Sequence, residues 1–164
     1  MVTVMKYLIL AISISTFVVA CAGTNVLSTQ PHVYSSTDRF TYEIVNKTAV
    51  PEPGMAIFTA RLKQDLEQLG LLAEQEQSKK MVITFVNYYM RKDKTRGRVG
   101  LMAGVDHIKT NIVVRDAEGN VAGRFEVVSS NPTAVGTSKG LIEGHADRIA
   151  SYLRTGEPEW NLFE

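Results

Sequence analysis

A β-hairpin pattern between residues 105 and 128 constrains the fold of this chain more than any other feature. In its first half, Ile108, Ile112 and Val114 lie on one face of an extended chain, with polar residues on the other face. The second half alternates in the same way. Between the halves, residues 116–120 (Asp-Ala-Glu-Gly-Asn) form a tight-turn sequence. The pattern therefore predicts two antiparallel strands joined by a short turn.

Two more strands and two amphipathic helices are predicted around this hairpin. Alternating apolar residues over 40–44 indicate a half-buried strand, and the β-branched and aromatic segment Met81–Met90 is typical of a central strand. Gly70 is a natural stop for the first helix. The apolar stripes of the helices are Phe58, Leu62, Leu66 and Leu69 in the first, and Leu141, Ile142, Ile149 and Leu153 in the second.

These elements follow one another in the order β-α-β-β-β-α. The sequence therefore predicts an α/β (α+β) domain over residues 38–155, with a mixed four-stranded sheet and two helices on one face. The strand–helix–strand unit makes its two strands parallel, and the later strands form a meander. An N-terminal signal helix precedes the domain, and residues 156–164 form a short C-terminal tail.

Composition excludes several classes of function. With 18 basic and 17 acidic residues the formal charge is +1, which gives no general attraction to nucleic acid. A single cysteine makes neither an internal disulfide nor a cysteine-rich metal site. We therefore expect no cofactor, no metal and no nucleic-acid partner.

The N-terminus has the pattern of a processed segment. Residues 7–20 are uncharged and largely apolar, and Lys6 stands directly before them. This run is shorter than the roughly 20 residues that span a bilayer, and it predicts a secretory signal peptide over residues 1–20. It ends in Val18-Val19-Ala20-Cys21, which resembles the bacterial lipobox.

That resemblance implies a lipid on Cys21. In lipobox proteins the cysteine sulfur receives a diacylglycerol and the precursor is cut just before the cysteine. Ala22, by resemblance to enterobacterial sorting rules, favours the outer membrane, so the expected location is its periplasmic face. We expect residues 21–37 to be a flexible lipidated tether with His32 in a solvated loop. The cell membrane is the other possible site of attachment.

The chain as a whole resembles uncharacterised bacterial lipoprotein domain families that pair a lipobox with a small α/β domain. The resemblance lies in the glycine-rich basic segment 91–104, the hairpin 108–128 and the last helix, 144–153. At the level of topology the chain is also similar to lipoproteins that activate penicillin-binding proteins or pair with secretion assemblies. The resemblance implies an envelope protein partner and names no reaction.

The glycine-rich segment 91–104 has two interpretations. Its glycine spacing fits neither a dinucleotide-binding fingerprint nor a P-loop. One interpretation is a mobile, solvated connection between strands. The other is a partner-docking loop, because apolar residues stand beside a basic cluster; wall-glycan or nucleic-acid binding is a lesser alternative. The candidate partner-binding residues are Arg91, Lys92, Arg96, Arg98, Leu101 and Met102.

No motif predicts catalysis. His32, His107 and His145 are not at metal-ligand spacing, and the serines lack a nucleophile-elbow context. The leading hypothesis is a non-enzymatic envelope lipoprotein that binds or assembles partners. The alternative is a lipid-anchored hydrolase or a cell-wall-glycan binding protein, which requires converging polar groups; Asp106, His107, His145 and Asp147 are the residues whose convergence would favour it.

Overall fold

The computed structural model describes residues 23–73, 78–91, 104–133 and 136–157. These residues form one mixed sheet with two helices on one face. The elements are β1 (Gly23–Gln30), β2 (Phe40–Asn46), α1 (Glu52–Gln68), β3 (Lys79–Tyr89), β4 (Asp106–Arg115), β5 (Val121–Asn131) and α2 (Ser138–Thr155).

The strands lie in the order β1-β5-β4-β3-β2. Strands β2 and β3, which flank α1 in the chain, are parallel, and every other neighbouring pair is antiparallel. The hairpin β4–β5 closes at residues 116–120, where the Asn120 backbone N–H donates to Asp116 Oδ1 and Gly119 has a φ of 88°. The predicted hairpin, the parallel pair and the position of β3 inside the sheet, between β4 and β2, are confirmed.

Both helices begin and end where local chemistry favours it. Helix α1 has a proline in its first turn, and Gly70 follows its end with a φ of 65°. Helix α2 begins at Thr137, whose hydroxyl accepts from the Gly140 N–H at 3.0 Å, and ends at Gly156 in the left-handed region. These stops match the two helices predicted from the sequence.

A single apolar core lies between the helices and the sheet. Phe58 on α1 meets Phe85 on β3 edge to face, with ring centroids 4.9 Å apart. On α2, Tyr152 lies 4.4 Å from Phe125 of β5, centroid to centroid. Each helix therefore packs over a different half of the sheet, and the expectation of two helices on one face is confirmed.

The sheet has five strands, so the expected number of four is wrong. The additional strand is β1, which occupies Gly23–Gln30 within the segment interpreted as a flexible tether. It pairs antiparallel with β5 over most of its length, from Gly23 opposite Ser130 to Gln30 opposite Arg124. Only Val26 of this strand is buried, so the sequence carries no alternation that marks a strand. Backbone hydrogen bonds to β5, rather than side-chain burial, hold it in place.

His32 is not solvated, which corrects a second expectation. Its side chain lies edge-on against Phe40, and its Nε2 is 3.2 Å from the Asp38 carboxylate, which also binds Lys79 at 2.7 Å. Burial and the Lys79 charge lower the pKa of His32, against the opposing effect of Asp38. Gly123 permits this approach, because a Cβ there would stand 2.8 Å from His32 Cβ.

The burial of Val26 allows a test of whether β1 belongs to the folded domain. Val26 is 4% exposed, and its neighbour Leu27, on the opposite face, is 50% exposed. We expect Val26→Ala to lower the free energy of unfolding by about 2 kcal/mol, since it removes buried methyl groups and leaves a cavity. Leu27→Ala, the matched control, should change it by less than about 0.5 kcal/mol. Urea denaturation of residues 22–164 measures both values; equal, negligible effects would mean that β1 is not part of the cooperative unit.

Candidate functional site

One end of the sheet collects the features that bear on function, and we call it the anchor end. There β1 begins at Gly23, β3 ends at Tyr89, β4 begins at Asp106 and β5 ends at Asn131. Helix α2 also begins at this end. The opposite end, which we call the far end, holds residues 31–38, the β4–β5 turn and the end of α2.

The predicted lipidation site, Cys21, lies outside the described residues. In the chain it precedes Gly23, the first residue of β1, by two positions. Two residues of extended chain reach at most about 7 Å. Whatever is attached to Cys21 is therefore held close to the anchor end.

A buried ion pair closes the anchor end. Arg91 is 3% exposed and its partner Asp106 is fully buried. The Arg91 guanidinium donates to both carboxylate oxygens of Asp106, from Nε at 3.2 Å and from Nη2 at 3.1 Å, and the Arg91 backbone N–H adds a bond of 2.7 Å. Nη2 also donates to the backbone carbonyls of Asn131 at 2.8 Å and Thr133 at 2.7 Å. One side chain thus ties together the ends of three strands.

Arg91 is consequently not the surface residue that the sequence suggested. The sequence places Arg91 in a basic cluster. In the structure its charge is paired with Asp106 inside the protein, so its guanidinium is not available to a partner. Sequence reasoning missed this pair because fourteen residues separate its members. The other candidate partner-binding residues, Lys92, Arg96, Arg98, Leu101 and Met102, lie outside the described residues.

Breaking this pair should destabilise the whole domain. We expect Arg91→Ala to lower the free energy of unfolding by about 3–5 kcal/mol, because it leaves the Asp106 carboxylate buried without its cation. Arg124→Ala, at an exposed position on β5, is the control and should cost less than about 0.5 kcal/mol. Chemical denaturation followed by circular dichroism compares the two. A small effect at Arg91 would show that the ion pair is dispensable.

A chain of hydroxyl groups runs from the anchor end into the core and ends on His145. Thr24 Oγ1 and Ser129 Oγ are 2.7 Å apart, and Ser129 Oγ lies 2.7 Å from His145 Nδ1. The other ring nitrogen, Nε2, is 2.8 Å from Thr110 Oγ1. Both nitrogens of the buried imidazole are therefore satisfied. Burial, with a smaller contribution from His107, lowers the pKa of His145 to about 3, so the ring is neutral at physiological pH.

The Ser129–His145 contact has the spacing of a nucleophile and its general base. Both residues are fully buried, however, and the Ser129 hydroxyl is shared with Thr24. A substrate carbonyl has no room beside that oxygen. The arrangement satisfies polar groups within the core.

A shallow cavity of about 240 Å³ lies at the anchor end beside the start of α2. Its wall is mostly backbone and small side chains, and it carries little charge. The lining residues are Gly23, Thr24, Asn131, Gly136, Thr137, Gly140, Leu141 and Gly144. The hydroxyl groups in this wall are those of Thr24, which is bonded to Ser129, and Thr137, which caps α2.

A second polar cluster joins the two helices on the outer surface. Arg61 of α1 donates from Nε to Asp147 of α2 and lies 3.3 Å from Asp65 Oδ1. The Asp65 side chain is nearly buried, and its carboxyl group lies beside that of Asp147. Burial and the neighbouring Asp147 raise the pKa of Asp65 to about 6, against the opposing charge of Arg61.

The four residues whose convergence would favour an enzyme do not come together. Asp106 binds Arg91, His145 binds Thr110 and Ser129, and Asp147 binds Arg61. His107 alternates with Asp106 along β4 and so lies on the other face of the sheet. Asp106, His145 and Asp147 therefore each have a separate structural partner.

The raised pKa of Asp65 predicts a pH-dependent stability. In the folded protein the Asp65 carboxyl group keeps its proton up to about pH 6, whereas in the unfolded chain it loses the proton near the ordinary pKa of 3.8. Folding is therefore favoured at low pH, and stability from this group falls as the pH rises from about 4 to about 6. Asp65→Asn, which stays neutral, should be more stable than the natural protein at pH 7–8, by on the order of 1–2 kcal/mol, and the gain should vanish near pH 4.

Glu67→Gln on the same helix provides the control for that measurement, because Glu67 is half exposed and makes only a 3.7 Å contact with Lys63. We expect the curve of denaturation midpoint against pH, measured from pH 4 to 8, to run parallel to that of the natural protein for Glu67→Gln. For Asp65→Asn the curve should diverge from that of the natural protein as the pH rises. Parallel curves for both variants would mean that the Asp65 carboxyl is ionised normally.

The described residues were also compared with the requirements of a metal site and of a membrane-spanning helix. Within residues 23–73, 78–91, 104–133 and 136–157, no three His, Cys, Asp or Glu side chains are grouped closely enough to hold a metal ion. Neither described helix is long and apolar enough to cross a membrane.

The fold and its polar clusters define a small α+β domain built on a sheet with helices on one face. The chain belongs to the family described as domain of unknown function DUF4410, whose model matches residues 34–136. This match confirms the expectation of an uncharacterised domain family. The likeness to penicillin-binding-protein activators and the lipobox stay predictions. No curated protein matches the chain.

Solved structures with a similar fold include PelC from Paraburkholderia phytofirmans. One PelC dodecamer has 12% sequence identity and a TM-score of 0.53, covering 80% of this chain and 98% of PelC. A second crystal form of the PelC dodecamer has 13% identity and a TM-score of 0.48 over the same shares of the two chains. A minor lipoprotein from Acinetobacter baumannii has 17% identity and a TM-score of 0.43, covering 71% of this chain and 91% of that protein. At these identities the likeness concerns the fold alone.

Proposed function

We propose that this protein is an envelope lipoprotein, attached to the membrane through Cys21, whose α+β domain is a non-enzymatic module for binding or assembling partners. The proposed location is the periplasmic face of the bacterial outer membrane. One observation carries most of the weight: the folded domain begins two residues after the lipobox cysteine, with Gly23 already paired to Ser130.

That geometry suits a protein that must work at a membrane surface. A long tether lets a domain search the space around its attachment point, whereas a two-residue connection holds it in place. The mature chain from Cys21 onward has 17 basic residues, the total of 18 less Lys6, and 17 acidic residues. Because its formal charge is zero, attraction to anionic lipid does not explain attachment, and a covalent lipid does.

Three features support a non-enzymatic role. The Ser129–His145 pair is sealed in the core, the Asp65–Asp147 pair is engaged by Arg61, and Asp106 is neutralised by Arg91. The titratable groups that resemble catalytic ones thus serve to hold the domain together. A lipid-anchored hydrolase or wall-glycan binding protein is the alternative, and no contact in the described residues favours it.

An assembly role is supported by the fold that this chain shares with PelC, which crystallised as a dodecamer. We propose that partner contacts involve the segment 92–103, whose sequence contains the basic residues Lys92, Arg96 and Arg98 and the apolar residues Leu101 and Met102. Crosslinking of the acylated protein in cells, followed by mass spectrometry, identifies the partner.

The lipid attachment has a direct test. Cys21→Ser removes the thiol that forms the thioether, so the variant should incorporate no labelled fatty acid and should move from the membrane to the soluble fraction. Two or more acyl chains anchor a protein stably, and no described helix of this chain replaces them.

Ala22→Ser is the matched control for that experiment, since it changes the neighbouring residue and keeps the thiol. It should be lipidated and membrane-bound like the natural protein. A Cys21→Ser protein that still carries lipid and remains in the membrane fraction would contradict the proposal.

A further inference from the structure

The exposed surface at the anchor end has a chemistry that the proposed lipid anchor alone does not explain. We propose that this end of the sheet lies against the lipid bilayer and that Tyr89 and Val105 contact the headgroup region. The inference rests on the proposed lipidation of Cys21, and it adds an orientation and a second membrane contact to it.

The connection from Cys21 to the sheet is short, and the direction of β1 from Gly23 onward is fixed. The link from Cys21 to Gly23 reaches at most about 7 Å. From Gly23 onward the chain is fixed in the sheet by its register with β5, beginning opposite Ser130. Because β1 has eight residues, its far end is about 23 Å away from Gly23. An acyl group on Cys21 therefore brings the anchor end to the membrane and leaves the far end away from it.

Two large side chains are exposed at the anchor end. Tyr89, at the end of β3, is 52% exposed, and Val105, just before β4, is 44% exposed. We treat them as one patch, because Tyr89 pairs with His107, two residues after Val105, and a Cβ added to Gly104 would stand 3.9 Å from Tyr89 Cε1. Large side chains left this open are few in the described part of the chain, and two of them lie together here.

Tyr89 and Val105 have side chains that suit the boundary between a membrane and water. Tyrosine is enriched where membranes meet water, because its ring is apolar and its hydroxyl remains hydrated. Valine beside it adds apolar surface without charge. Patches of this kind mark contacts with a protein or a membrane, and the nearby attachment point selects the membrane.

Two exposed residues elsewhere serve as matched references. Val33 is 83% exposed and belongs to the far end, next to His32, whose carbonyl oxygen lies near the end of α2 at Gly156. Leu27 is 50% exposed midway along β1. The three positions Val105, Leu27 and Val33 therefore sample the sheet from the anchor end to the far end.

The test places one fluorescent label at each position in the lipidated, full-length protein. Cys21 is the only cysteine, and lipidation consumes its thiol, so Val105→Cys, Leu27→Cys and Val33→Cys each offer one reactive site. The labelled proteins are reconstituted in vesicles of phosphatidylethanolamine and phosphatidylglycerol that contain a headgroup-attached quencher. We expect quenching to be several-fold stronger at 105 than at 33, with an intermediate value at 27.

Equal quenching at the three positions, or stronger quenching at 33, would overturn the proposed orientation. Mass spectrometry and flotation of the same samples report lipidation and membrane attachment independently. If the protein is lipidated and floats with the vesicles but quenching does not differ between the three positions, the inference is refuted and the lipid anchor stands. Absence of lipid would refute the proposed function itself. Since all three sites are exposed, the substitutions should not disturb folding; thermal melts of the labelled proteins check this.

A second measurement tests the contact itself. Tyr89→Ser in the lipidated Val105→Cys protein should reduce quenching of the label, because the patch loses its aromatic ring. Val33→Ser, at the far end and 83% exposed, is the control and should leave it unchanged. Unchanged quenching in both variants would show that Tyr89 makes no membrane contact.

Discussion

The backbone pairing of β1 with β5 is the interaction on which the arrangement of this protein depends. It turns a polar, glycine-containing segment into the edge strand of the sheet and fixes the chain's entry point at Gly23. Hydrogen bonds of an antiparallel ladder need no apolar side chains, so a strand with one buried residue, Val26, forms where its neighbour offers a free edge. As a result, the position of Gly23, two residues after Cys21 in the chain, is set by sheet register.

Two sets of paired polar groups are buried in this domain. Arg91 with Asp106, and His145 with Thr110 and Ser129, each lie at the meeting point of separate elements. An unpaired group at either place would carry a large desolvation cost, so these contacts specify which strand ends and which helix face come together. Their chemistry resembles that of catalytic groups, but their energetic role is to define the fold.

The likeness to PelC and membership of a domain family of unknown function identify the architecture, and the same architecture serves different functions in different proteins. The proposed function therefore depends on local features: Cys21, the predicted lipobox cysteine, precedes β1 by two residues, and the exposed Tyr89 and Val105 lie at the same end of the sheet.

The sequence by itself determined the hairpin, both helices and the parallel β2–β3 pair, because periodicity, turn residues and helix caps are local. It did not reveal β1, the burial of His32 or the pairing of Arg91 with Asp106. Each of these depends on residues far apart in the chain: β1 on the edge of β5, His32 on the space above Gly123, and Arg91 on a carboxylate beyond a long connection. Only the tertiary structure decided them, since a residue's partner across the sheet leaves no trace in its own sequence neighbourhood.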